Sequence, residues 1–265
     1  MTDAASSPAR MWGEERRQRI LEQVTKKRRV SVRELQTLCD VSSVTIRNDL
    51  QLLSRKGLLV RAHGGAVAPT DVLRDHPLTV KESLNHYEKR RIAEAAVKLI
   101  RPRQTIILDA GTTTLEIARR LKETRLPSVT VITHAMNVAS VLADVSDLTL
   151  IMIGGILRPV SQSFVGPQAE QMLRELHADH FFLGVDGLDL ELGPSTPGIL
   201  EAKLNSLMME ISKEVTVVAD ATKIGRRSLT LIEPFARVHR VITDKRVSTE
   251  AVAALRERTI EVVVV

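Results

Sequence analysis

At 265 residues the chain is long enough for a small and a medium folding unit, and 43% hydrophobic with 26% charged residues is the balance of a folded globular protein, not a disordered or fibrous one. No window approaches the ~20 apolar residues that cross a bilayer and the N-terminus has no apolar signal core, so the expected location is the cytoplasm, with no membrane partner. The net charge of +6 lies wholly in residues 1–66, which hold 13 Lys and Arg against 7 Asp and Glu, whereas the rest holds 25 of each. A small basic module beside a neutral one suits the former to a polyanion. The 2% aromatic content leaves no platform for stacking single-stranded bases. The lone Cys39 cannot form an internal disulfide and falls in an apolar stretch, as a core residue.

After a tail over residues 1–12, GEERRQRILEQVTKK predicts a helix with Ile20, Leu21 and Val24 on one face. The β-favouring run Val30-Ser31-Val32 follows, then RELQTLCD, a second helix with Leu35, Leu38 and Cys39 on its apolar face. In VSSVTIRNDLQLLSRKG, Ser42 or Ser43 suits the cap, Ile46, Leu50 and Leu53 form a buried stripe and Gly57 ends the helix. The opposite face offers Val44, Arg47, Asn48 and Gln51, with Thr45 on its flank, side chains able to reach base edges and phosphates. Leu58 to Arg61 and His63-Gly64-Gly65-Ala66 predict a hairpin whose Arg61 and His63 lie near a nucleic-acid backbone or minor groove. Helix, strand, helix, helix and hairpin in that order make a winged helix-turn-helix over 13–68, its helix-turn-helix at about 31–50, with double-stranded DNA as partner. Candidate contacts are Ser42, Ser43, Thr45, Arg47, Asn48, Gln51, Arg61 and His63. A plain helical interaction domain explains the apolar stripes but not the local charge or the Gly-Gly turn.

Residues 67–80 hold two prolines and no amphipathic period, so a linker is expected over 69–83. From LNHYEKRRIAEAAVKLI onward helices alternate with the strands TIILD, SVTVITH, LTLIMIGG, HFFLGVDG, VTVVAD, VHRVITD and VVVV. That alternation predicts an α/β domain with a parallel sheet over 84–265. Ligands of such sheets bind at the carboxyl ends of strands. There Asp109, Gly111, Thr112, Thr113 and Thr114 form a glycine and hydroxyl turn into a helix, suited to a phosphate. Asp186, Gly187, Glu201 and Lys223 follow at later strand ends, where acids bind sugar hydroxyls and a lysine balances phosphate charge; Lys203 lies close by in sequence. His177, Asp179 and His180 sit at a helix-to-strand junction without further ligands, so no metal is expected, and no motif calls for a cofactor.

VSSVTIRNDLQLL with Gly57 and RAHGGA resembles the DNA-binding signature of the DeoR family of bacterial transcription regulators. LDAGTTT, IGG with LRPVSQSFVGP, ADHFFLGVDG, ADATK with Gly225, and VITD resemble the sensor domain of the same family along nearly its full length. Asn48 stands where the family often has Arg or Lys, and His134 where many members have Asn. The resemblance implies a sensor fold similar to ribose-5-phosphate isomerase and CoA transferases and a phosphorylated sugar effector near the Gly-Thr-Thr-Thr turn. It also implies a homo-oligomer, dimer or tetramer, that represses a sugar-catabolic operon until the effector relieves it. STPGILEAKLNSLM with IGRRSL looks most like members of amino-sugar or galactose-type pathways. The alternative is an isomerase-like enzyme carrying a DNA-binding domain, with Asp186 and Glu201 as acid and base. LGPSTPGILE lacks the glycine-rich lysine loop that the isomerase has before its glutamate, which favours a regulator without catalytic activity.

Overall fold

A computed structural model describes residues 13–27, 29–55, 58–62, 64–67 and 77–265. The chain divides into two compact units, Met1–Asp71 and Val72–Val265.

In the first unit, helices α1 (Gly13–Lys27), α2 (Val32–Cys39) and α3 (Ser43–Arg55) enclose Ile20, Leu21, Val24, Leu35, Cys39, Ile46, Leu50 and Leu53, the apolar stripes the sequence predicts. A reciprocal capping box between Ser31 and Glu34 starts α2, and Asp40 in the left-handed conformation ends it. Strands β1 (Arg29–Ser31), β2 (Val60–Ala62) and β3 (Gly65–Val67) form one antiparallel sheet in the order β1-β3-β2. The wing thus shares its central strand with the strand before α2. Gly64 has φ +75°, and a Cβ at Gly65 would lie 2.0 Å from the Val30 carbonyl oxygen, so each glycine of the pair is required for a different reason. The expected tail over residues 1–12, Gly57 at the helix end and His63 at the wing tip lie outside the described residues.

The second unit is built on seven parallel strands, β4 (Thr105–Leu108), β5 (Val129–Thr133), β6 (Leu148–Met152), β9 (Ala178–Gly184), β12 (Ser212–Val218), β14 (Arg240–Thr243) and β15 (Glu261–Val264), in the order β15-β14-β12-β9-β4-β5-β6. Alternate residues of each strand enter two cores. Ile106, Leu108, Phe182 and Val218 meet Ile92, Ile117, Ala118 and Val138 from α5 (His86–Val97), α6 (Thr112–Thr124) and α7 (Met136–Leu142). On the other face Ile107, Phe181, Leu183 and Val217 meet Leu173, Leu204, Met208 and Leu255 from α8 (Pro167–Arg174), α9 (Ile199–Glu210) and α10 (Thr249–Glu257). The result is a three-layer α/β domain. The chain builds β4, β5 and β6 outward in one direction and β9, β12, β14 and β15 in the other, so the sheet reverses direction between β4 and β9. The crevice beyond the carboxyl ends of those two strands is the place such a sheet offers a ligand.

Several features differ from the sequence reading. The linker expected over 69–83 ends early, because Leu78–Ser83 forms helix α4, whose first amide donates to the Val160 carbonyl (3.0 Å). Six residues are too few to show an amphipathic period or to hold a helix unaided, so packing decides the segment. Helix α5 begins at His86, after Asn85 in the left-handed conformation, and not at Leu84. A hairpin of β7 (Ile156–Arg158) with β8 (Ser163–Val165), a side sheet of β10 (Gly187–Asp189), β11 (Gly193–Thr196) and β13 (Thr230–Leu231), and helix α10 all lie where no element is read from the sequence. Strands of two to four residues are too short for alternation to register.

Gly65→Ala is expected to destabilise the first unit by about 3 kcal/mol, because the new methyl group meets backbone that cannot retreat without breaking the sheet. Thermal unfolding of residues 1–71 as an isolated fragment measures this, and an unchanged melting temperature would contradict the close approach.

Candidate functional site

The DNA-reading candidate is α3. Ser42 is its cap, with Oγ accepting from the Thr45 amide (3.2 Å) and lying 2.9 Å from the Thr45 hydroxyl, which leaves Ser43 as the first helical residue. Arg47, Asn48 and Gln51 point outward with Val44, and Ile46, Leu50 and Leu53 point inward. Arg61, exposed on β2, donates from Nη1 to the Arg47 carbonyl (3.3 Å) and so fastens the wing to the helix. The structure therefore brings Ser42, Ser43, Thr45, Arg47, Asn48, Gln51 and Arg61 to one helix and its adjoining strand. Sequence reasoning assigned no role to Asp49. Its carboxylate is buried on the inner face of α3, where it accepts from Arg16 Nε (2.6 Å) and Arg17 Nη1 (3.4 Å) of α1. An acid at an otherwise apolar helical position was the available signal.

In the sheet domain the predicted residues gather at the carboxyl edge. Gly111 leads into α6 with no side chain capping that helix, so the amides of Thr112 to Thr114 keep no intrahelical acceptor. Thr112 and Thr113 are nearly buried, and Gly111 carries no side chain to obstruct approach. The Thr114 hydroxyl donates to the Gly111 carbonyl (3.1 Å) and stabilises the turn, so its proton is engaged at the start of its own helix. Lys223 lies in a short helical turn after β12 and reaches Asp186, which follows β9, at 3.5 Å. Glu201, in the first turn of α9, accepts from the Thr196 hydroxyl (2.7 Å) and from Arg158 Nη1 (3.1 Å) on the β7–β8 hairpin. Gly187 serves packing, since a Cβ there would come 2.6 Å from the Arg226 carbonyl oxygen. Lys203 turns aside to pair with Glu170 (2.9 Å). Asp179 and His180 are engaged separately, with Lys213 and with the Thr216 hydroxyl, and no group of three potential ligands exists among the described residues.

Asp109 holds this edge together. Its carboxylate, 1% exposed, accepts from the amides of Ala110 (2.7 Å) and Gly184 (3.0 Å), lies 3.5 Å from the Asn205 amide nitrogen and faces His134 Nε2 at 3.0 Å. The other ring nitrogen of His134, Nδ1, lies 2.9 Å from the Phe164 carbonyl, which can only accept, so Nδ1 carries a proton. Burial alone would lower the His134 pKa, but the hydrogen bond and charge of Asp109 outweigh it and hold the imidazole above its usual value. For Asp186, burial pushes the pKa up, yet the ammonium groups of Lys81 and Lys223 keep the carboxyl below its usual value. Burial raises Glu201 despite Arg158. Arg158, Lys81, Asn205 and His134 lie among the candidate site residues without having been assigned there from the sequence; His134 alone had a signal, as a departure from the pattern that the family resemblance implies.

The His134 pKa is higher in the folded chain than the usual 6.5, so the stability that its charge contributes is complete below about pH 6.5 and is lost as pH rises through the folded value. His134→Asn keeps a hydrogen-bond donor without the charge. The stability advantage of the parent over this variant, measured by urea unfolding with circular dichroism, is expected to shrink as the pH is raised from 6.5; a constant difference would remove the charged pair.

Comparison with known proteins identifies both domains. Residues 16–72 match the model of the DeoR-like helix-turn-helix domain, and residues 84–245 that of the DeoR C terminal sensor domain. The chain is 41% identical to the putative aga operon transcriptional repressor of Escherichia coli O157:H7 over all of its own length and 98% of that protein. It is 37% identical to the HTH-type transcriptional regulator GlpR of Haloferax volcanii, covering 87% and 89% of the two chains, and 32% identical to the transcriptional repressor AccR of Agrobacterium fabrum, covering 89% and 91%. Among solved structures, ribose 5-phosphate isomerase A of Methanocaldococcus jannaschii aligns over 53% of this chain and 55% of its own with a TM-score of 0.40 and 20% identity. An outward-facing helix fastened to a basic wing, joined in one chain to a parallel-sheet sensor domain and matched by both domain models, makes this protein a DNA-binding transcriptional regulator of the DeoR family.

Proposed function

We propose that the protein represses a sugar-catabolic operon, binds repeated operator half-sites as a homo-oligomer, and is released when a phosphorylated sugar binds at the carboxyl edge of its sheet. The observation that carries the effector assignment is the uncapped start of α6 at the point where the sheet reverses, with Asp109, Asp186, Glu201 and Lys223 at the neighbouring strand and helix ends. Free amides and a helix dipole suit a phosphate, and carboxylates suit hydroxyls. Asn205 adds support: its Oδ1 is buried without a partner among the described residues, beside Asp109, where a ligand hydroxyl would supply one. The similarity to a putative aga operon repressor favours an amino-sugar or galactose-type phosphate.

Catalysis is not part of this reading. A carboxylate held ionised by two lysines, as Asp186 is, makes a weak proton acceptor, and Glu201 is occupied by Arg158 and Thr196. Incubation of the protein with pentose and hexose phosphates should leave each unconverted.

The deciding experiment is fluorescence anisotropy on DNA upstream of the operon that contains this gene, at fixed salt, with sugar phosphates and the free sugars. Release by one phosphorylated sugar and not by its free form is the expected result, and binding that no sugar phosphate alters would end the effector assignment. Arg47→Ala is expected to weaken operator binding by about 1–3 kcal/mol while leaving the sensor domain folded. Thr113→Val should leave operator affinity intact and blunt release, because a donor at the phosphate turn is lost; a response equal to the parent's would exclude Thr113 from the site.

A further inference from the structure

Helix α4 is the first described element after residues 68–76, which join the two units in sequence. At six residues it is far below the ~12 at which an isolated helix holds in water, so it exists because it is docked. Among the described residues the contacts that dock it or its flank include the Leu78 amide to the Val160 carbonyl (3.0 Å), Glu82 to Arg119 (2.7 Å), Asn85 to Asp220 (3.1 Å) and to Arg246 (3.1 Å), and Lys81 to Asp186. The last is the closest charge pair of the effector edge, with Nζ 2.8 Å from Oδ1 and 3.0 Å from Oδ2. The buried Lys89 ammonium holds the carbonyls of Lys81 and Leu84 from beneath. Among these contacts the one from Lys81 ends on a residue of the candidate effector site.

Resting on the effector reading above, we propose that Lys81 belongs to the effector site and that its ion pair with Asp186 is the latch through which that site controls α4 and the path of the chain toward the DNA-binding unit. A sugar phosphate brings about two negative charges to an edge where Lys81 and Lys223 already share one carboxylate. The ammonium of Lys81 turns from Asp186 to the phosphate, a stronger multidentate acceptor, and α4 loses a side-chain tie at its middle. Two recognition helices reading half-sites ~34 Å apart depend on where each chain leaves its sensor domain, so a displaced α4 weakens binding to both. The effector then favours the unlatched state by its differential affinity, as linkage requires.

The latch is testable without any ligand. Operator affinity at fixed salt is compared for the full-length parent, Lys81→Met, Asp186→Asn, the double variant and Lys81→Arg, with circular dichroism to confirm folding. Each single neutral variant is expected to bind operator about tenfold more weakly, the double variant no more weakly than the weaker single, and Lys81→Arg like the parent. Hydrogen exchange at residues 78–85 should be faster in Lys81→Met. Parent-like operator affinity together with parent-like exchange in Lys81→Met would overturn the latch. Additive losses in the double variant would also overturn it, because the two residues would then act separately. Failure of every sugar phosphate to release the parent protein would count against the effector reading alone, since the latch is measured in its absence.

Discussion

The buried carboxylate of Asp109 is the constraint on which the carboxyl edge of the sensor domain's sheet depends. It sits at the end of the central strand β4, where the sheet reverses, and joins three neighbours: β9 through the Gly184 amide, the end of β5 through His134, and α9 through Asn205. A buried charge is tolerated only when its lone pairs are answered, and here they are answered by groups from different elements. The strand ends are thereby held in register with the start of α6. Donors that must meet a ligand's oxygens within a few tenths of an ångström need this kind of fixed support.

The DNA-binding unit applies the same principle with opposite placement of charge. Asp49 is buried on the inward face of α3 and answered by Arg16 and Arg17 of α1, which sets the rotation of the helix about its axis. With that rotation fixed, Arg47, Asn48 and Gln51 face outward. The Arg61 contact to the Arg47 carbonyl then ties strand β2 of the wing to the same helix, so the candidate base-reading and backbone-reading elements are joined by a direct hydrogen bond. Both units therefore hold a buried carboxylate that fixes the placement of the candidate groups around it.

A regulator must also carry information between such surfaces. The sensor domain contributes a short helix, α4, that exists only by docking and whose central tie is electrostatic. Apolar packing changes little when an anion arrives, whereas a carboxylate shared between two lysines is sensitive to one. The charge pairs at this edge are suited to competition with a ligand, and the two apolar cores on either face of the sheet are suited to staying unchanged.

The amino-acid sequence by itself determined the elements whose side chains repeat with a clear period. The three helices with their apolar stripes, the seven core strands and the Gly-Gly wing were legible because local spacing dictates which face is buried. The motifs also placed Asp109, Gly111, Thr112, Thr113, Asp186, Glu201 and Lys223 at one edge of a parallel sheet, since strand ends carry ligands in such folds. Tertiary structure alone decided what each of them does there. Thr114 turns to its own helix start, Gly187 makes room for the Arg226 backbone, Lys81 enters from beside a segment without an amphipathic period, and Arg158 and Asn205 enter from motifs in which neither had been assigned a role. Those roles depend on residues far apart in the chain: Asn205 lies 96 positions from Asp109, and Lys81 lies 105 from Asp186. Periodicity records which way a side chain points, but its partner across the fold is set only when the sheet brings the strand ends together.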